Sequence, residues 1–453
     1  MRRVVITGIG AVSPLGLGGG TGGGLWEGLL AGRSGTATLR RFDASAFPSR
    51  VAGEVPAFKT TDYVPKSYRK ATKIMARDIE LAVVAADLAV KDARLITRGI
   101  AEGPATQGGG WFKPNPERMG CNIGAGLIAA DLTELATAMA QARAEHDVLD
   151  LARWGRSEDP AKTSGMESLT PLWLLKYLPN MLACHVSIIH DTQGPSNTIT
   201  CGQASAGLAL AEAARTIQRG DADLALVGGC ETKVHEMGLM RWTLLGRLNT
   251  RDNDTPQRAC RPYDTTAAGS VIAEGGAVLV IEEFEHARAR GATIYAEVAG
   301  LGATAGAAAA GSPTGIDTSG EAAAMAMKKA LAGAGAKAQD VGVVVPPGYG
   351  IAAWDAADAA ALRGAFGEHV PTVVPARAGI GDCGAGAQAL DLAAAALMIQ
   401  QQTIPPATNV TTPIAGLPVS VKAESRPLEY AAVLTTALGG QNSAVVLKRM
   451  DHQ

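Results

Sequence analysis

The sequence predicts an α/β fold built from two similarly ordered halves, which we place at residues 1–255 and 256–453. At 453 residues the chain is too long for a single small core. Short apolar runs alternate with helical patterns, and continuous apolar runs are typical of buried strands in such folds. The same order of strands and helices returns in the second half without a recognisable sequence repeat, so the duplication is inferred from element order alone.

The first half opens with a β-branched strand at residues 4–9, which ends in Gly-Ile-Gly. Residues 72–95 carry apolar side chains at helical spacing and predict a long amphipathic helix. Residues 99–116 are rich in Gly and Pro and predict a loop or insertion. A helix at 203–219 then leads through a short turn into a buried strand at 224–227. These elements form a strand, helix, strand unit.

A comparable order follows in the second half. Its predicted elements are a strand at 341–345, a helix at 356–366, a strand near 370–374, a helix at 387–401 and a closing strand at 444–448.

Composition excludes several classes of protein. Lys and Arg number 41 against 43 Asp and Glu, a net charge of -2, which is not the basic footprint of a nucleic-acid binder. An acidic partner would therefore have to meet a local basic patch. No uninterrupted apolar stretch approaches the roughly 20 residues that span a bilayer, so we expect no membrane insertion.

The cysteines favour a reducing compartment. They show neither CxxC nor metal-ligand spacing, which predicts free thiols, no metal, no cofactor and a cytoplasmic protein. The N-terminal apolar run is interrupted by Gly8 and Gly10, so it is interpreted as a strand and not as a signal peptide. The six cysteines are Cys121, Cys184, Cys201, Cys230, Cys260 and Cys383.

Five stretches together resemble the β-ketoacyl synthases, which elongate fatty acids and polyketides on an acyl carrier protein. The resemblance runs from the first strand almost to the C-terminus and implies a five-layered αβαβα thiolase fold, usually dimeric. The stretches are RRVVITGIGAVSPLG at 2–16, NMLACH at 180–185, GDAD at 220–223, RPYD at 261–264 and AEG at 273–275.

The resemblance also locates the family's nucleophile, a cysteine at the N-terminus of a buried helix, where the helix dipole favours thiolate. Counting without gaps from Gly194 places that position on Gln203. A primary amide cannot form the acyl-enzyme. Cys201 is the rival nucleophile, but a two-residue slip near a helix start turns the side chain by about 200°, away from the pocket. We interpret Cys201 as a small packing residue beside the strand end.

Two histidines complete the site in the family, where they donate hydrogen bonds to the malonyl thioester oxygen. The first position corresponds here to Pro347, which lacks even a backbone donor. The second corresponds to Asp382, whose carboxylate would repel both the malonyl carboxylate and the developing enolate. Arg377 stands at the lysine of that second motif and keeps its positive charge. The seven histidines of the chain lie elsewhere in the sequence.

Apolar residues at the equivalents of pocket-bordering segments are candidates for an acyl tunnel near a dimer interface, with ordinary core packing as the alternative. The family's Gly-Phe-Gly-Gly gate corresponds here to residues 437–440, where Leu438 replaces the aromatic residue. The tunnel candidates are Leu127, Trp173, Leu174, Tyr177 and Leu438.

The replacements fall on the nucleophile position and the two histidine positions, while the scaffold motifs remain. This pattern predicts a non-condensing subunit of the chain length factor type in fatty acid or type II polyketide synthesis. It would pair with an active ketosynthase or with itself, receive acyl carrier protein and shape the acyl tunnel. One alternative is an active 3-oxoacyl-carrier-protein synthase that uses Cys201. Others are a malonyl-carrier-protein decarboxylase of the glutamine-ketosynthase type, whose members keep their histidines, and a thiolase-fold binding protein without carrier-protein traffic.

Overall fold

The computed structural model describes residues 2–100, 110–143, 147–156, 164–306 and 315–450. Most of the predicted loop at 99–116 therefore lies outside the described residues. The strands are β1 (Val4–Ser13), β2 (Gly16–Gly19), β3 (Gly22–Gly23), β4 (Thr36–Thr38), β5 (Val51–Gly53), β6 (Met119–Ala125), β7 (Ser196–Ile199), β8 (Leu224–Thr232), β9 (Ile272–Glu283), β10 (Ala296–Ala305), β11 (Val341–Val345), β12 (Thr372–Val373), β13 (Thr403–Ile404), β14 (Glu424–Ser425), β15 (Tyr430–Thr436) and β16 (Gln441–Lys448). The helices are α1 (Gly24–Leu30), α2 (Arg77–Asp92), α3 (Leu132–Gln141), α4 (Leu151–Gly155), α5 (Met181–His190), α6 (Ser205–Arg219), α7 (Glu236–Leu244), α8 (Phe284–Ala289), α9 (Glu321–Ala334), α10 (Ala352–Phe366) and α11 (Ala387–Gln401).

The predicted helix at 72–95 is shorter in the structure. It begins at Arg77, where Asp78 and Glu80 occupy the first turn, because carboxylates are favoured at a helix N-terminus. The residues before it, Lys66–Ile74, form a 3₁₀ helix instead. The predicted helix at 203–219 begins two residues later as α6, after a 3₁₀ turn. The strand at 341–345 and the helix at 387–401 are confirmed to the residue as β11 and α11.

Two sets of five strands repeat one topology. In the first set β1, β9, β8, β6 and β7 lie side by side, and successive pairs are antiparallel, antiparallel, parallel and parallel. In the second set β10, β16, β15, β11 and β12 follow the same sequence of pairings. Each set runs first, fifth, fourth, second, third in chain order. The two halves therefore share both connectivity and strand sense.

The two sets meet at their first strands. β1 and β10 pair at Val5↔Glu297 and Ile6↔Ala296. β9 completes the first set by pairing with β1 and β8. The boundary between residues 255 and 256 stays a prediction.

Helices cover and separate the two sets in five layers. α2 and α5 cover the outer face of the first set, α9 and α10 cover the second, and α6 packs against α11 between them. This is the predicted αβαβα thiolase fold. Every residue of α11 from Ala387 to Ile399 is buried, as expected for a helix in the middle layer. In the described ranges, no helix is both long and apolar enough to cross a membrane.

Candidate functional site

Gln203 lies in the middle of the 3₁₀ turn Gly202–Ala204, between β7 and α6. The turn begins with a left-handed glycine, Gly202 at φ 54°, a conformation that glycine adopts without steric cost. The Gln203 side chain is buried, and its Nε2 donates to Oδ2 of Asp382 at 3.2 Å. The structure thus brings together two predicted site residues that lie 179 positions apart in the chain.

Asp382 is fixed two residues before the 3₁₀ turn Gly384–Gly386, which leads into α11. Its Oδ1 accepts from the main-chain N–H of Gly384 at 3.0 Å. Its own main-chain N–H donates to the carbonyl of Val271 at 2.9 Å, and its carbonyl accepts from Ala273 at 3.0 Å. The carboxylate is therefore a rigid acceptor for the Gln203 amide.

Arg377 is held in the core away from this contact. Its Nη2 and Nε donate to Oδ2 of Asp391 at 2.9 and 3.2 Å, and both side chains are almost completely buried. The guanidinium carbon lies 5.3 Å from the centre of the Tyr349 ring. Burial alone would lower the pKa of Arg377, but the Asp391 carboxylate raises it above its ordinary value. The positive charge expected from the sequence is present, although it is neutralised by an internal partner.

Pro347 is buried in the loop that follows β11. The loop is pinned by Asp355, whose Oδ1 accepts from the main-chain N–H groups of Tyr349 and Gly350 at 3.0 and 3.2 Å. The Tyr349 hydroxyl donates to the carbonyl of Thr436 at 2.5 Å. The loop thus places the Tyr349 ring beside the Arg377 guanidinium. Pro347, in the same loop, has no hydrogen-bond donor.

A cavity of about 440 Å³ opens beside Gln203. Of the five tunnel candidates, Leu127 and Leu438 contribute to its lining. Leu127 is 65% exposed, so the cavity opens towards the surface of the chain at that side.

The other three tunnel candidates lie outside this lining. Trp173 and Tyr177 pack on each other, with ring centres 5.1 Å apart. The Tyr177 hydroxyl donates to Oε2 of Glu134 at 2.7 Å, and Leu174 is 60% exposed. Within this chain these three residues therefore belong to a surface segment and not to the cavity beside Gln203.

Sequence reasoning missed the charged and polar side chains that line the cavity at the end of β8 and just after it. The Lys233 ammonium contacts Oε1 of Glu231 at 3.0 Å, and Oε2 of Glu231 accepts from the main-chain N–H of Ala385 at 2.6 Å. Burial alone would lower the pKa of Lys233, but the carboxylates of Glu231 and Asp382 raise it. These residues could have been identified from their position at the carboxyl end of a parallel strand, where ligand-binding sites of α/β folds are usually found.

His235 also lines the cavity, although no histidine was expected there. Its Nδ1 accepts from the main-chain N–H of Gly238 at 3.0 Å, so the ring caps the N-terminus of α7. Burial is the main reason why the pKa of His235 falls to about 4. The ring is therefore neutral at neutral pH.

Cys201 precedes the Gln203 turn and is partly buried. Its main-chain N–H donates to Oγ of Ser205 at 2.8 Å. The cavity lining includes Thr200, Gly202 and Gln203 but not Cys201. The cysteine thus sits beside the site without facing its cavity. All six cysteines are free thiols, and no cluster of metal-ligating side chains is found among the described residues.

Family models match both parts of the sequence. The model of the β-ketoacyl synthase N-terminal domain matches residues 1–287, and that of the C-terminal domain matches residues 295–411. The chain belongs to the β-ketoacyl synthase family. This family member is 31% identical to 3-oxoacyl-[acyl-carrier-protein] synthase 2 of Vibrio cholerae serotype O1, over 99% of both chains.

Solved structures agree with this assignment. A β-ketoacyl synthase from Burkholderia phymatum superposes with a TM-score of 0.80 at 27% identity, over 100% of both chains. The ishigamide ketosynthase/chain length factor superposes with a TM-score of 0.79 at 27% identity, over 99% of this chain and 100% of that one. The predicted family and fold are confirmed. The name of the Vibrio relative fits the alternative of a 3-oxoacyl-carrier-protein synthase better than a non-condensing subunit.

Proposed function

We propose that this β-ketoacyl synthase family member is a non-condensing subunit that pairs with an active ketosynthase and helps to shape its acyl tunnel. The observation that carries the proposal is the Gln203–Asp382 hydrogen bond. It occupies the place where the family resemblance implies a nucleophilic cysteine and a histidine donor. The Gln203 amide supplies no thiolate, and the Asp382 carboxylate supplies no charge-stabilising donor for an enolate.

The outer surface of the chain supports a partner subunit. β7 ends the ten-strand order, and its first residues Ser196 and Asn197 are exposed. An edge strand offers unpaired main-chain groups to another chain. Large apolar side chains are exposed elsewhere on the same half, among them Leu127, Leu172 and Leu244 at 60% or more. Such apolar exposure is typical of protein–protein contact surfaces.

A basic stretch supports acyl carrier protein as a second partner. The 3₁₀ helix Lys66–Ile74 has no buried residue and no acidic residue in its first turn. Its exposed basic side chains are Lys66, Arg69, Lys70 and Lys73. We infer that this stretch is the local basic patch that an acidic face of the carrier protein would require, since the chain as a whole is not basic.

Reversing two of these charges should weaken carrier-protein binding. We expect the double variant Arg69→Glu/Lys70→Glu to lose at least about tenfold in affinity at low salt, because like charges would then face each other. Raising the ionic strength should shrink this difference. The matched control is Lys328→Glu/Lys329→Glu, an exposed pair on α9 with the same change in charge. Equal loss in both variants, measured by surface plasmon resonance, would count against a specific patch.

An active 3-oxoacyl-carrier-protein synthase is the second candidate, and the name of the Vibrio relative favours it. In that case Cys201 would have to act as the nucleophile. This role requires the turn to rearrange, because the cavity beside Gln203 is not lined by Cys201.

Intact-protein mass spectrometry distinguishes the two candidates. We expect the purified chain to gain no acyl mass when it is incubated with acyl-carrier protein, because Gln203 cannot attack a thioester. Co-expression with a ketosynthase that carries Cys and both His should instead yield a complex whose condensing activity depends on this chain. An acyl adduct that disappears in Cys201→Ser would establish the second candidate and reject the first.

A further inference from the structure

A groove of about 620 Å³ lies at the end of the sheet opposite the candidate site. β9 begins at Ile272, which bridges to Asp382, and it runs to the far end of the sheet. There the main-chain N–H of Phe284, the residue after β9, donates to the carbonyl of Arg3 at 3.0 Å. Both of these residues line the groove, which is therefore separate from the cavity beside the 3₁₀ turn before α6.

Three distant parts of the chain bring basic side chains to this groove. They are the residue before β1, the segment 284–294 that joins β9 to β10, and the residues at the end of β16. Among the described residues, the lining holds four cations and no acidic side chain. The cations are Arg3, Arg288, Lys448 and Arg449. Such a concentration of one sign of charge attracts an anion.

Two of the four cations already have carboxylate partners outside the lining. Arg3 Nη2 lies 2.6 Å from Oε2 of Glu297. Arg288 pairs with Glu285, three residues before it on α8. These two arginines are therefore largely neutralised by the chain itself.

The other two cations contact neutral groups. The Lys448 ammonium lies 5.4 Å from the centre of the Tyr430 ring. Arg449 Nη1 donates to the amide oxygen Oε1 of Gln402 at 3.3 Å. Arg449 can therefore turn towards a ligand without giving up an ion pair with any described residue.

The charges around the groove do not cancel. The carboxylates of Glu429 and Glu297 face Lys448, and with Glu285 they make three carboxylates against the four cations. One positive charge thus remains in excess among the described residues, on the side of the groove formed by the end of β16. An anionic group that binds there meets two basic side chains of which neither is held by a short ion pair within the described ranges.

The walls narrow the chemistry of the anion. A guanidinium presents a planar fork of donors that matches phosphate oxygens, and an ammonium adds a point charge. Phe284, Ile294 and Met450 supply apolar surface to the same groove. All three are partly buried and so offer little to insert into a bilayer, which favours a soluble ligand over a membrane surface.

We propose that this groove binds a small soluble phosphate monoester, with its phosphate on Lys448 and Arg449 and its apolar body against Phe284 and Ile294. The proposal is independent of the proposed function, because the groove and the candidate site share no lining residue. A ligand held here joins the connection between the two repeated units to the last strand of the sheet. Its binding should therefore also stabilise the folded chain.

Calorimetric titration of the purified chain with phenyl phosphate tests the proposal. We expect saturable binding, with benzoate at least about tenfold weaker because a carboxylate offers fewer charged acceptor oxygens. Phenol, which lacks the anionic group, should show no saturable binding. The melting temperature of the chain should rise with phenyl phosphate and not with phenol.

Variants assign the binding to the groove. Arg449→Met and Lys448→Met should each weaken phenyl phosphate by about tenfold and reduce its effect on the melting temperature. Lys329→Met, which removes one exposed positive charge on α9, is the matched control and should leave binding unchanged. Circular dichroism without ligand shows whether each variant is folded, and if one of the two groove variants is not, the other decides.

Three results would overturn the proposal: no saturable binding of phenyl phosphate, equal binding of benzoate or phenol, or unchanged affinity in the groove variants. Vesicles of phosphatidylcholine with phosphatidic acid test the other source of a phosphate monoester, a lipid headgroup. We expect the chain not to sediment with them. Sedimentation that Arg449→Met abolishes would assign the groove to a lipid headgroup and reject a soluble ligand.

Discussion

Gln203→Cys alone should not restore condensation. The variant returns a thiol to the turn before α6, where the thiolate could still be acylated. Elongation also needs donors on the thioester oxygen, and loss of one such donor costs about 10²–10³-fold in rate. Pro347 supplies none, and Asp382, which accepts from the Gln203 amide in the unsubstituted chain, contributes a carboxylate and no donor. We therefore expect acylation without the elongated β-keto product.

The measurement supplies acyl- and malonyl-carrier protein and follows the elongated product by mass spectrometry. Gln203→Ser is the matched control, since it is similar in size to cysteine but lacks the thiol. Adding Pro347→His and Asp382→His to Gln203→Cys should raise product formation, because both donors return. Robust elongation by the single variant would mean that the histidine positions are wrongly assigned and that the chain is close to an active synthase.

Arg377→Met should destabilise the fold by about 3–5 kcal/mol, since it leaves the buried Asp391 carboxylate without its partner. Both side chains are at most 2% exposed, so water cannot compensate for the lost contact. The cation beside the Tyr349 ring is lost as well. Arg3→Met is the matched control, because Arg3 pairs with Glu297 at a surface where such pairs contribute at most about 1 kcal/mol.

Urea unfolding of the variants checks this expectation. The double variant Arg377→Met/Asp391→Leu should recover much of the loss, because it removes both buried charges together. A loss of under about 1 kcal/mol for Arg377→Met would contradict the ion pair as a principal stabilising contact of the middle layer.

The architecture was predictable because each half repeats strong local signals. The continuous apolar run of β11 and the alanine-rich α11 leave few alternatives, and both were placed to the residue. The start of α2 was missed because residues 72–76 continue the helical spacing of apolar side chains, while the acidic residues that begin the helix come later.

The site was predictable only in part. Gln203 and Asp382 could be matched to motif positions, but their contact depends on how two distant helices pack and has no local signature. Lys233 and His235 escaped notice because the predicted strand ended at residue 227, whereas β8 continues to Thr232 and carries them to the cavity. Trp173 and Tyr177 form an apolar segment whose sequence does not distinguish a cavity wall from a surface cluster.

The placement of Gln203 and Asp382 on different halves also constrains the order of folding. α6 belongs to the first repeated unit and α11 to the second, and their facing surfaces become buried only when the units dock. Contacts between residues so far apart close a long loop, which makes them slow to form. During synthesis the face of α6 that contacts α11 therefore stays uncovered until α11 has left the ribosome. The cavity is consequently completed late in folding, and an intact cavity indicates that both units have folded and docked.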